Sequence, residues 1–374
     1  MKIEPFGVEI WMNEYETRCD YNLAETCVYS ITVAELLQLC GESDHSLDSL
    51  LSLKLSYGAI QGSDRLRTAI ASLYEHQRLE NILVTHGTIG ANSLVHQSLV
   101  SRGDRVVAIV PTYQQHYSIP QSIGAEVELL RLKPENQFLP DLSELNQMVT
   151  DDTKLIAMTN PNNPTGSLMN AEYLEEIAGI ARAKGTWVLC DEVYRGTDQS
   201  GSGTTPSIAD IYEKGISTAG MSKAFSLAGL RIGWIVAPEE VIEPVMVHRD
   251  YNTISVGVIN DHLAALALEN SEALLERSKS ITRTNLKILS DWVDAELAIS
   301  WVPPQSGTTA LLKYEFEMAS RDLCIEILQK TGVMFTPGSA MGMEGYVRIG
   351  YANPTEVLMA GLKLVSGYLA MKLK

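Results

Sequence analysis

Short apolar runs alternate with longer stretches of helical periodicity through the middle of the chain. NILVTH (81–86), RVVAIVP (105–111), EVELLRL (126–132), LIAMTN (155–160) and WVLCDEVY (187–194) read as buried strands. A helical pattern from about Gly90 to Val100 follows the first of them. NAEYLEEIAGIARAKG (170–185) joins the last two as an amphipathic helix ending in a glycine stop. This alternation predicts an α/β domain with a mostly parallel central sheet flanked by helices. Beyond it, residues 271–297 form one long helical pattern, followed by a helix near 320–331, a strand-like YVRIGY (346–351) and a final helix. The expected division is a large domain over 43–280 and a smaller, discontinuous α+β domain, made of 1–42 and 281–374, that covers the substrate.

In open α/β sheets, ligands sit beyond the carboxyl ends of the strands. GTIGA (87–91) follows the first run, Thr112-Tyr113 the second and PNNPTG (161–166) the fourth. The fifth carries Asp191 and Tyr194, and GISTAGMSK (215–223) delivers Lys223. If these runs are neighbours, five chemically loaded segments meet in one crevice. Each alone has a plainer reading as turn, cap or packing residue; their convergence is what points to a site.

Composition narrows the classes. The 374 residues are 45% hydrophobic and 20% charged, as in a soluble globular protein. A formal charge of −17 disfavours nucleic acid and anionic membrane surfaces as partners. Five scattered cysteines without a CxxC fit reduced thiols and a cytoplasmic location. The start of the chain carries acids where a signal peptide has an apolar core, and no apolar run reaches the length of a membrane span. The histidines lack ligand spacing, so no metal is expected. No GxGxxG links a strand to a helix, which argues against a nicotinamide dehydrogenase.

A lysine set among small and apolar residues, as in GMSKAFSLAGLRIGW (220–234), suits a Schiff base with pyridoxal phosphate, and burial is expected to depress its pKa. That cofactor needs a phosphate cradle, which Gly87, Thr88 and Ile89 at a helix start supply with Ser222 and Arg231. Tyr113 is placed to stack on the ring and Asp191 to keep its nitrogen protonated. Asn163 and Tyr194 are donors for its phenolic oxygen, and Arg348 suits a substrate carboxylate. The glycines after Lys223 let the backbone double back to place Arg231.

These residues carry a resemblance. YGAIQGSDRLRTAI (57–70), NPNNPTG (160–166), DEVY (191–194), SKAFSLAGLRIGW (222–234) and RIGY (348–351) stand in the order and spacing of class I/II aminotransferases, fold-type I pyridoxal-phosphate enzymes. The resemblance implies the roles just described for Lys223, Asp191, Asn163, Tyr194, Tyr113, Thr88, Ile89, Ser222, Arg231 and Arg348. It further implies a homodimer with shared sites, in which Tyr57 reaches the phosphate of the neighbouring subunit. The implied reaction moves an amino group between an amino acid and a 2-oxo acid by way of Lys223.

The chain departs from that pattern twice. Gly220 stands where many relatives carry serine or threonine, so phosphate binding is expected to lean on Ser222, the helix start at 87–89 and Tyr57. YNLAETCVYSIT (21–32) replaces a segment that lines the substrate site in many relatives, and its Glu25 is a candidate partner for a basic substrate side chain. The same catalytic set also serves C–S β-elimination, decarboxylation, and oxidation or cyclisation of arginine-like amino acids, and these remain open.

Overall fold

The computed structural model describes residues 2–41 and 44–373, with the backbone alone for 44–47; the expected domain junction at 42/43 lies outside these residues. A seven-stranded sheet forms the larger layer. Its strands are β1 (Ile82–His86), β2 (Arg105–Val110), β3 (Glu126–Arg131), β4 (Thr153–Thr159), β5 (Trp187–Asp191), β6 (Gly215–Gly220) and β7 (Ile232–Val236), in the order β1-β7-β6-β5-β4-β2-β3. β2 to β6 pair in parallel, whereas β7 runs antiparallel to both its neighbours. Parallel pairing demands crossovers, and the helices supply them.

Helix α1 (Gly7–Tyr15) precedes the sheet, α2 (Gly87–Leu99) leaves β1 directly, and α3 (Ala171–Lys184) links β4 to β5. In α3 the Asn170 side chain accepts a hydrogen bond from the Tyr173 N–H at 3.0 Å, capping the first turn. Leu174, Ile177, Ala178 and Ala181, spaced along one face, are all fully buried.

A second sheet holds β8 (Ile299–Trp301), β9 (Thr309–Tyr314), β10 (Thr336–Pro337) and β11 (Tyr346–Gly350) in the order β10-β11-β9-β8, all antiparallel. It shares an apolar core with residues of α4 (Ser271–Ala295), α5 (Ser320–Thr331) and α6 (Thr355–Lys372). Trp11 of α1 enters that core and donates through Nε1 to the Phe335 carbonyl at 2.8 Å. Val8, one turn earlier, packs instead into the core under the large sheet. The N-terminal helix therefore straddles both cores, and one of its faces is left over the gap between the sheets.

Two features differ from the sequence reading. The run 187–194 is a strand only to Asp191. The Arg195 N–H closes a turn on the Glu192 carbonyl at 2.8 Å. The Glu192 carboxylate meanwhile accepts from the Ser207 hydroxyl at 3.0 Å, the Ile208 N–H at 2.8 Å and the Ser217 hydroxyl at 2.8 Å. Glu192 thus anchors the turn, and Tyr194 lifts off the sheet. Second, Ile232–Val236, which is not among the strand-like runs, is a strand inside the sheet. A Cβ at Gly233 would lie 2.3 Å from the carbonyl carbon of Gly87 and 2.4 Å from the Thr88 nitrogen, so this glycine lets the first turn of α2 rest directly on β7.

Candidate active site

The carboxyl ends of β4, β5 and β6, the start of α2 and the inner face of α1 enclose a cavity of about 340 Å³, a size suited to a small organic ligand. Lys223, Asp191, Tyr194 and Asn163 line it, as do Tyr113, Thr88, Ile89 and Ser222. Arg231, Arg348 and Glu25 complete the set of expected residues along its wall. Gly87 contributes backbone to the start of α2. Tyr57 lies apart, 82% exposed on the surface of the single chain.

Lys223 is partly buried, and its Nζ donates to the Thr26 hydroxyl at 2.5 Å and to the Cys27 sulfur at 3.4 Å. Burial pulls its pKa down as expected, but the neighbouring Cys27, Tyr194 and Glu25 more than offset this, and the amine is held above its ordinary range. The expected depression is therefore not found, and Lys223 is held as a cation among acceptors. Cys27 is the reciprocal case: burial pushes its thiol up to about 11.

Asp191 is buried at the end of β5. One carboxylate oxygen accepts from Asn92 Nδ2 at 2.8 Å and the other from the Val193 N–H at 3.1 Å. Asn92 is fixed in turn, because its Oδ1 accepts from the Thr218 hydroxyl at 2.6 Å. Burial raises Asp191 to about 6 despite these donors. A carboxylate held this way is set to pair with a protonated group inside the cavity.

Arg348 on β11 is 3% exposed. Its Nη atoms reach the Asn163 side-chain oxygen at 3.3 Å, the Ala24 carbonyl at 3.3 Å and the Thr336 hydroxyl at 3.1 Å, while Nε has no hydrogen-bond partner among the described residues. No carboxylate pairs with it among the described residues, and burial lowers its pKa. An unpaired buried guanidinium is costly unless it awaits an anion. Of the asparagines in 160–163, only Asn163 lines the cavity; Asn160 and Asn162 tie the loop to Met169, Thr165 and the Pro111 carbonyl.

Residues 52–362 match the family described as aminotransferase class I and II. The chain belongs to that family. It is 29% identical to capreomycidine synthase of Streptomyces vinaceus over 96% of this chain and 92% of that protein, and 29% identical to an aspartate aminotransferase of Pyrococcus horikoshii over 81% and 80%. Among solved structures, a PLP-dependent aminotransferase from Streptococcus suis matches with a TM-score of 0.96 and 40% identity, covering 99% of both chains. The PLP-dependent cyclase OrfR matches with a TM-score of 0.92 and 25% identity, covering 100% of this chain and 98% of that one. The fold is that of the PLP-dependent aminotransferases, and the cofactor is pyridoxal phosphate.

The residues present fit that group. The Thr88 hydroxyl, in the first turn of α2, is buried without a hydrogen-bond partner. Arg231 adopts a left-handed backbone with φ of +52°, a conformation that L-residues seldom hold without a functional reason, and among the described residues its guanidinium donates to the nearby Ala228 carbonyl at 3.0 Å and pairs with no carboxylate. Helix start, unpartnered Thr88 hydroxyl and a guanidinium without a carboxylate together make an anion cradle.

The structure also changes the account of Gly220. A Cβ at this position would lie 2.5 Å from the Thr88 hydroxyl oxygen and 2.9 Å from the Ile232 carbonyl oxygen. Thr88 thus occupies the space beside residue 220, so within the helix start it is the Thr88 side chain that stands in for the hydroxyl missing from β6. Gly220→Ser is expected to weaken cofactor binding through overpacking of about 1–3 kcal/mol. Combining it with Thr88→Ala should recover most of the loss, as fluorescence titration with pyridoxal phosphate would show.

Sequence reasoning missed Asn92, Thr26 and Cys27, and did not connect Glu9 to Tyr113, whose hydroxyl donates to Glu9 at 2.7 Å. Asn92 had a signal: it lies one helical turn after Thr88 on the same face. The other three come from the N-terminal segment, whose docking over the cavity has no local signature. Among the described residues no cluster of three or more His, Cys, Asp or Glu side chains is placed to hold a metal, and no helix is long and apolar enough to cross a membrane.

Proposed function

We propose that the chain is an aminotransferase that moves an amino group between an amino acid and a 2-oxo acid, with Lys223 as its catalytic base. The observation that carries this reading is the placement of Arg348, buried and without a carboxylate partner, on the same cavity wall as Lys223 and Asp191. Pyridoxal phosphate supplies an electrophilic carbonyl and a ring that takes up an electron pair. Asp191 would hold the proton on the ring nitrogen. Thr88, Ser222, Arg231 and the backbone of 87–89 would hold the phosphate. Tyr113 would cover the ring, and Asn163 and Tyr194 would donate to its phenolic oxygen. Arg348, oriented by Asn163, takes the α-carboxylate and so fixes the direction of the Cα–H bond. Lys223 Nζ, which would have to give up its own proton when the cofactor is bound, would be placed to take up that Cα proton as the neutral amine. Exposed Tyr57 serves the phosphate of a second copy in a homodimer with shared sites. The enzyme acts in the cytoplasm, and 43–280 and 1–42 with 281–374 form its two domains.

A second reading is a different outcome of the same proton removal, a cyclisation or elimination. It is favoured by the near full-length similarity to capreomycidine synthase. An amino-acid panel with separate detection of 2-oxo acid, ammonia, thiol and CO₂ distinguishes the two. Oxo-acid formation matched by amination of an added acceptor supports aminotransfer, and consumption of the amino acid without acceptor amination overturns it.

Arg348→Gln should raise KM for every amino acid about 10- to 100-fold, the value of a lost charge-assisted hydrogen bond. Its cofactor-free thermal stability should not fall, because a buried unpaired charge is removed. Steady-state kinetics and calorimetry check both halves.

A further inference from the structure

The cavity carries four carboxylates, those of Asp191, Glu9, Glu16 and Glu25, against three cations, Lys223, Arg231 and Arg348. Asp191, Arg231, Arg348 and Lys223 are all assigned to the cofactor and to the substrate's α-carboxylate and amine. Three glutamates remain, and among the described residues none of them forms a salt bridge. Glu9 comes from α1, Glu16 from the turn that follows α1, and Glu25 from the loop beside Lys223.

Their hydrogen bonds leave acceptor capacity. Glu9 Oε1 accepts from the Tyr113 hydroxyl at 2.7 Å. Glu25 Oε1 accepts from the N–H groups of Thr26 and Cys27 at 2.7 and 2.8 Å, which aims the carboxylate, and against burial Lys223 together with these donors holds it below its ordinary range. The Glu16 carboxylate accepts no hydrogen bond among the described residues. Burial, Glu25 and Glu9 hold Glu16 above its ordinary carboxylate value, so Glu16 feels the other two as like charges. Arg348 lines the same cavity with no carboxylate hydrogen-bonded to it among the described residues, and calls for an anion. Once the cofactor and the substrate's α-carboxylate and amine engage the three cations of the cavity, the three glutamates are left without one.

We propose that the substrate is an amino acid whose side chain ends in a cation, an alkylammonium or guanidinium group, bound by Glu9, Glu16 and Glu25 while Arg348 holds its α-carboxylate. The proposal rests on the assignment of Arg348 above. Glu16 is the most exposed of the three and makes no contact that shapes the backbone, so it carries the selectivity test with least risk to the fold; Glu25 supports its own loop.

Arginine and citrulline have nearly the same shape and differ in charge, as do ornithine and glutamine approximately. Equilibrium binding to the cofactor-loaded protein, followed by the visible absorbance of the cofactor, should favour arginine over citrulline by about tenfold or more, the scale of one charge-assisted contact. Glu16→Gln should reduce that ratio several-fold, and Glu16→Lys should invert it, with salt weakening the arginine preference in the parent protein. Equal binding of arginine and citrulline, or a ratio unmoved by both substitutions, overturns the proposal. The readout is independent of product. If arginine is selected but no acceptor is aminated, the aminotransferase reading fails and the side-chain assignment stands.

Discussion

Lys223→Ala abolishes turnover, with an expected loss of at least about 10⁴-fold, the upper range for removing a positioned general base. The loss should appear in kcat, because among the described residues no other amine lines the cavity: Arg231 and Arg348 are its other cations there, and a guanidinium is not deprotonated near neutral pH. The variant should still bind pyridoxal phosphate, since Thr88, Arg231 and the start of α2 are untouched. A small primary amine added to the solution should restore part of the activity, because the space left beside Thr26 and Cys27 accommodates it. Steady-state assays with and without such an amine check this, and full activity of Lys223→Ala would remove the catalytic assignment.

Asp191→Asn separates catalysis from stability. Activity should fall by about 10³-fold, the scale of losing a preorganised electrostatic partner to a developing charge. Stability should move the other way with pH. The folded-state pKa of Asp191 is raised to about 6 from an ordinary 3.8. Its contribution to stability is therefore fully present below the unfolded pKa and is lost as pH rises through about 6. Above that, the buried carboxylate costs the cofactor-free protein roughly 3 kcal/mol, taking about 1.4 kcal/mol per pKa unit. The variant itself exchanges one good acceptor for an amide N–H facing Asn92 or Val193, a loss that does not depend on pH. The unfolding free energy of Asp191→Asn relative to the parent should thus improve by roughly 3 kcal/mol between pH 4 and pH 8. Denaturant titrations on both cofactor-free proteins measure the difference, and a pH-independent difference would contradict the burial argument. Added pyridoxal phosphate should flatten the pH dependence of the parent, because the ring nitrogen gives Asp191 its cation.

The strand runs of the central sheet were legible because a strand buried on both faces must be apolar throughout. The crevice followed from position: Thr88, Tyr113, Asn163, Asp191 and Lys223 each stand at or just after the carboxyl end of a strand of that sheet. β7 was harder to read, since it is only five residues long, Arg231 stands directly before it and Gly233 interrupts its apolar pattern. Gly233 is there because α2 rests on the strand, a reason found in a helix more than a hundred residues away in sequence. The role of Gly220 was similarly hidden, because whether a missing hydroxyl is a loss depends on what fills its place, and Thr88 does.

The sequence by itself determined the class of chemistry. A lysine, an aspartate, an asparagine and two arginines in fixed order leave few other combined explanations, because each answers a separate demand of one cofactor. Only the tertiary structure decided the charge state and the wall that faces the substrate. Lys223 is a cation and Asp191 is half-neutral near pH 6 because of groups brought together from distant parts of the chain. Glu9, Glu16 and Glu25 become one acidic surface only because α1 is pinned by Trp11 to one core and by Val8 to the other. Electrostatic energy depends on distance through space and on burial, and neither is written in the local pattern of residues.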